Sequence, residues 1–84
     1  MFYIYILQSL SNPDKTYVGF TENIERRLSE HNAGSQVYSH RYAPWDLLAY
    51  TAFKDRISAL AFELYLKSGS GKAFLTKHFL SFKS

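Results

Sequence analysis

Four side chains in this sequence have the types and spacing that phosphoryl chemistry uses. Tyr5 and Tyr17 are phenols in two short runs, Phe2-Tyr3-Ile4-Tyr5-Ile6-Leu7 and Thr16-Tyr17-Val18-Gly19-Phe20. Arg27 and His31 follow four residues apart, which puts both on one face of a helix. A hairpin of the two runs would set Tyr5 and Tyr17 side by side against that helix. Hydrolysing a phosphodiester requires an activated water, neutralised charge on the phosphoryl oxygens and help for the leaving oxygen. Arg27 can grip a phosphate bidentately and stabilise developing charge, and His31 can accept or relay a proton near neutral pH. A free tyrosine has a pKa of about 10 and is a poor base at pH 7. A nearby guanidinium and a divalent metal would favour its phenolate, which makes Tyr5 the candidate base and Tyr17 a residue that orients water or phosphate. Glu63 is the candidate metal ligand. Magnesium takes oxygen ligands, keeps several waters and needs only one or two carboxylates beside substrate phosphate.

Each residue also has a plainer reading. The tyrosines can be cross-strand packing partners. Arg27 can pair with Glu30, His31 with the carbonyls that end its helix, and Glu63 with Lys67 one turn on. Arg26 fits the ion-pair reading better than Arg27, having Glu22 and Glu30 each four residues away.

Residues 2–8 and 15–20 have the β-branched and aromatic content of strands, joined by a turn cluster around Asn12-Pro13-Asp14. Alternation places Tyr3, Tyr5 and Leu7 on one face and Ile4 and Ile6 on the other. Both faces are apolar, so helices are expected to cover much of the sheet. A helix starts at Thr21 or Asn23 and ends at Asn32-Ala33-Gly34, with Ile24, Arg27, Leu28 and His31 on one side. Residues 35–45 read as a polar, aromatic, partly basic loop, and Trp45 to Phe53 as a third strand. Asp55 caps a second helix to about Lys67, whose apolar stripe is read as Ile57, Leu60, Ala61 and Leu64, with Glu63 on its flank. Ser68-Gly69-Ser70-Gly71 reads as a flexible break, before a short final helix or irregular tail over residues 72–82 that packs Phe74, Phe79 and Phe82. The order β-β-α-β-α-α implies an α+β fold, a small three-stranded antiparallel or mixed sheet flanked by helices.

Eighty-four residues make one domain, residues 1–84, near the lower end of what folds unaided. Seven Tyr, seven Phe and one Trp help so small a core, because each ring buries a large area. With no cysteine, disulfides and thiolate zinc sites are excluded. The apolar amino terminus lacks a basic leader and a cleavage site, and no run approaches the roughly 20 apolar residues of a membrane span. A cytoplasmic protein with no membrane partner is therefore expected. The net charge of +3 is compatible with a polyanionic partner.

In order and spacing, these elements resemble the GIY-YIG nuclease family, particularly its small single-domain bacterial members related to the nuclease domain of the excision-repair endonuclease. The likeness runs from Tyr3 to about Phe74. The first motif, Gly-Ile-Tyr, appears as Tyr3-Ile4-Tyr5 and the second, Tyr-Ile-Gly, as Tyr17-Val18-Gly19. The family arginine falls on Arg27, the histidine of many members on His31 and the metal-binding glutamate on Glu63. The resemblance implies a three-stranded antiparallel sheet flanked by helices, and one Mg2+ or Mn2+ held at Glu63. Three positions depart from the pattern: Tyr3 replaces the first glycine, Phe20 replaces a phosphate-contacting lysine for which Lys15 or Lys67 would have to substitute, and Leu75 replaces a late asparagine. Gly69-Ser70-Gly71-Lys72 is not a phosphate-binding loop, since it follows a helix and lacks the earlier glycine.

The expectation is a metal-dependent endonuclease that hydrolyses DNA rather than RNA. With so little surface for reading sequence, it would have low specificity or prefer structured or damaged DNA, as in repair, with a protein partner as a further source of specificity. Arg27, His40, Arg41, Lys67 and Lys72 are the expected nucleic-acid contacts. Two alternatives stand beside this: a non-catalytic nucleic-acid-binding module on the same fold, and a protein-interaction domain using Tyr38, Tyr42 and Trp45.

Overall fold

Apolar side chains on both sides of Phe2–Ser9 suit a strand covered on two faces, and this segment, β1, is the centre of the sheet. The computed structural model describes residues 1–33 and 41–80. In it β1 pairs antiparallel with β2 (Thr16–Thr21) on one side and β3 (Trp45–Phe53) on the other. The fold is thus α+β with an antiparallel three-stranded sheet. Gly34, Tyr38, His40, Phe82 and the Phe79 side chain lie outside the described residues.

The expected alternation of β1 holds, and it separates two cores. Ile4, Ile6 and Val18 point to one face, where Ala59, Leu66 and Leu75 cover them with partly buried Phe2, Phe20, Phe53, Phe62 and Phe74. Tyr5, Leu7 and Trp45 form the other core with Tyr17, Leu28, Tyr42 and Leu47. Each fully buried aliphatic side chain contributes about 1.5–3 kcal/mol relative to exposure. Trp45 is only 3% exposed and half-buried Tyr42 packs beside it, so of the expected contact surface Trp45 belongs to the interior instead.

Helix α1 (Ile24–Asn32) begins at Asn23, whose side chain accepts from the Arg26 backbone N–H at 3.0 Å. Thr21, the other candidate cap, instead accepts from the Asn23 N–H at 3.1 Å and sets the turn into the helix. At the far end Asn32 clamps α1 to the start of β3. Its Oδ1 accepts from Trp45 N at 2.6 Å and its Nδ2 donates to Trp45 O at 3.2 Å.

Helix α2 (Arg56–Leu66) starts as expected at Asp55, which accepts from Ser58 N at 2.9 Å and Ser58 Oγ at 2.8 Å. Those bonds hold its carboxyl below the ordinary carboxylate range. Its buried side, however, is not the stripe read from sequence. Ile57 is 77% and Leu64 74% exposed, while Ala59 and Leu66 are buried and Phe62 partly so. Both sets recur at helical spacing, and periodicity alone does not choose between them. The sheet does, because the Phe53 ring receives Phe62 at 5.6 Å and the small Ala59 lets the helix lie close.

The Gly-Ser run is also not a break. It opens helix α3 (Gly69–Leu75), with the Ser68 side chain accepting from Gly71 N at 3.2 Å. A Cβ at Gly71 would overlap the Tyr65 carbonyl oxygen and the Leu66 backbone, so glycine is what allows α3 to fold back on α2. The chain continues as a π-helical turn over Thr76–Leu80. Among the described residues no helix is long and apolar enough to cross a membrane.

Candidate active site

Tyr5 lies in the middle of the central strand, under α1, and is 1% exposed. Directly across the ladder stands Gly19, not Tyr17. A Cβ at Gly19 would overlap the Tyr5 phenol oxygen and ring, so the missing side chain makes the space that the ring fills. Tyr17 therefore neighbours Tyr5 diagonally, opposite Leu7, with the two rings stacked at 6.2 Å between centroids. The hairpin thus sets the two rings side by side as expected, through a diagonal pair of positions.

Helix α1 brings Arg27 and His31 down onto that phenol. Tyr5 Oη and His31 Nε2 are 2.9 Å apart in a buried hydrogen bond. Arg27 Nε donates to the same oxygen at 3.3 Å, and its Nη1 donates to Glu30 Oε1 at 2.8 Å. The Tyr17 ring meets His31 edge-on at 4.6 Å and Trp45 at 6.4 Å, which walls the imidazole in. His31 is 1% exposed, and its Nδ1 has no hydrogen-bond partner among the described residues.

The electrostatics follow from burial. Desolvation pushes the Tyr5 phenol above its ordinary pKa, outweighing the hydrogen bond from Arg27. The nearby Tyr17 phenol and the Glu63 carboxylate act in the same upward direction. Burial, then the positive Arg27, holds His31 below the ordinary histidine value. Glu30 raises the Arg27 pKa, with Tyr5 adding to it, and Arg27 in turn lowers that of Glu30. In this arrangement Tyr5 keeps its proton at neutral pH and His31 is the neutral imidazole. With Arg27 donating to Tyr5 Oη, the consistent assignment is a Tyr5 O–H that donates to His31 Nε2.

Glu63 does not join this network directly. It sits on α2, the helix covering the other sheet face, and its Oε2 accepts from Lys67 Nζ at 2.9 Å. Its side chain is partly buried, and its charge still reaches Tyr5. Among the described residues no cluster of three or more His, Asp or Glu is placed to hold a metal. A hard divalent cation at Glu63 would have to displace that ammonium and take its remaining oxygens from water and substrate phosphate.

The remaining basic candidates spread out. Lys67 and Lys72 line a cleft of about 300 Å³ with Thr16 and Leu75. Arg41 is exposed and lies over the Tyr42 ring at 5.5 Å, with Lys15 near the same ring at 5.6 Å. The Arg56 guanidinium lies over Phe20, 5.3 Å from its ring centroid. Sequence reasoning missed the Gly19 clearance, the Asn32 clamp and Ser9, whose buried hydroxyl donates to Tyr42 O at 2.6 Å. A glycine opposite a tyrosine in adjacent strands was the available signal for the first; the other two depend on contacts between distant segments.

Known proteins share this pattern. A family model described as the GIY-YIG catalytic domain matches residues 1–77. A UPF0213 protein of Lactiplantibacillus plantarum is 39% identical over 79 residues, covering 88% of this chain and 74% of that protein. A structure-specific endonuclease subunit SLX1 homolog of Giardia intestinalis is 37% identical over 65 residues, 73% of this chain but 18% of that protein. The chain therefore spans less than a fifth of that relative's length. The solution NMR structure of a UPF0213 protein from Bacillus halodurans superposes with a TM-score of 0.54 at 30% identity, covering 99% of this chain and 86% of that one.

Proposed function

The chain belongs to the GIY-YIG nuclease family, and from that premise we propose that it is an endonuclease hydrolysing DNA phosphodiesters with a divalent metal. The observation that carries this reading is the single phenol oxygen of Tyr5, shared between His31 Nε2 at 2.9 Å and Arg27 Nε at 3.3 Å. A buried tyrosine need not be ionised beforehand to act as a base. As Tyr5 Oη takes a proton from water, its own proton passes to the neutral His31 Nε2. Arg27 balances the charge that develops on the phosphoryl oxygens. Tyr17 stands beside both and orients water or phosphate. Glu63 holds the metal, magnesium or manganese, which when bound neutralises phosphoryl charge and assists the leaving oxygen.

The SLX1 relative is a subunit of a structure-specific endonuclease. That supports branched or otherwise structured DNA as substrate and a partner chain as the source of specificity. The test is nicking of supercoiled plasmid and of branched oligonucleotides with magnesium or manganese, comparing wild type with Glu63→Ala. Cleavage that needs the metal and is lost in the variant is expected. Retained DNA binding with no cleavage under either metal would favour a binding module instead.

A further inference from the structure

Beside the Tyr5 network the same sheet face carries a second hollow, of about 380 Å³. Tyr3, Leu47 and Tyr50 line it from the sheet, and Glu22, Ile24 and Glu25 from the start of α1. Tyr50 stands directly opposite Tyr5 in the β1–β3 ladder, and Tyr3 is two residues from Tyr5 on the same face. The two rings meet edge to face with centroids 5.9 Å apart. Tyr50 is 56% exposed, a large aromatic surface left open one ladder position from the candidate base. Ile24 is one helical turn before Arg27, so the hollow adjoins the place where phosphate would be held.

Among the described residues no basic side chain lines this hollow and two carboxylates do, so they repel a phosphate from it. An aromatic surface that rejects phosphate next to a guanidinium that attracts it separates the two halves of a nucleotide. Base–aromatic stacking tolerates any base because every base has a π-face. A base inside a duplex is already stacked on both sides, so the occupant has to be unpaired or extruded.

We infer that the Tyr3–Tyr50 hollow takes an unpaired nucleobase adjacent to the phosphate held at Arg27. The inference rests on the nucleic-acid reading above and adds to it a reason for preferring branched or single-stranded DNA. Tyr50 is the specificity residue, since its exposed ring packs little of the core.

The experiment is equilibrium binding in EDTA, where no cleavage occurs, of three labelled oligonucleotides. One is a branched DNA with one unpaired nucleotide at the junction, the second has an abasic residue there, and the third is a fully paired duplex. In the wild type, loss of the base should weaken binding about tenfold, within the range of base–aromatic stacking. Tyr50→Ala should lose the same factor on the base-containing branch and be indifferent to the abasic substitution. Tyr50→Phe should behave as wild type, and duplex binding should be equal in all three proteins. A 2-aminopurine at the unpaired position should be quenched by wild type and Tyr50→Phe only. Tyr50→Ala that weakens all three DNAs equally, or none, overturns the hollow while leaving the nuclease reading standing. A wild type that binds none of the DNAs overturns both.

Discussion

Tyr5 works through an oxygen that burial keeps protonated and two neighbours keep oriented. The ring can reach that position only because Gly19 has no side chain. Gly19→Ala should therefore destabilise the protein by about 1–3 kcal/mol, as overpacked sites do, and abolish cleavage. Chemical denaturation checks the first, and wild-type stability in the variant would show that the ring has other room. His31 gives a second prediction. Its folded pKa lies below the ordinary value of 6.5, so as pH falls through about 6.5 the unfolded chain takes up a proton that the fold does not. The contribution is present above that pH and is lost as pH drops toward the lower folded value. The urea midpoint should fall between pH 7.5 and pH 5.5, and fall less in His31→Gln; equal declines would place the titration elsewhere.

Among the elements, the strands and the first helix were legible in the sequence because their signals are local. The β-branched and aromatic runs, the Asn23 and Asp55 caps and the Arg27–His31 spacing all operate within a few residues. The phase of α2 was not legible, since two apolar stripes of equal periodicity compete and only the opposing sheet selects one. Nor was the start of α3 in the Gly-Ser run, because glycine weakens a helix by itself and is tolerated here for the close approach it permits. The two stripes make a direct prediction. Leu64→Gln should change stability by no more than about 0.5 kcal/mol, whereas Leu66→Ala should cost about 2–5 kcal/mol. Urea denaturation distinguishes them, and a large loss at Leu64 would restore the stripe read from sequence. The meeting of Tyr5 with His31 joins residues 26 apart in the chain, and it was foreseeable from the hairpin set against the first helix together with the family pattern.

For the whole molecule, two thin cores lie on opposite faces of one sheet, with Tyr5, Tyr17, Arg27 and His31 on the face under α1 and Glu63 on the helix that covers the other. The molecule measures 33 × 29 × 18 Å, about one turn of duplex DNA, roughly 34 Å. Such a footprint reaches few phosphates, and the net charge of +3 is modest. DNA affinity should accordingly decline with salt, and Arg27→Ala should reduce the slope of log K against log salt by about one. An unchanged slope would mean that Arg27 touches no phosphate. The central claim is that the water's proton passes to the Tyr5 oxygen. Single-turnover cleavage of a branched DNA by Tyr5→Phe, which keeps the ring and removes only that oxygen, tests it most directly. A rate about 10²–10⁴-fold below wild type with DNA binding retained is expected, and a rate within a few-fold of wild type would show that the proton goes elsewhere.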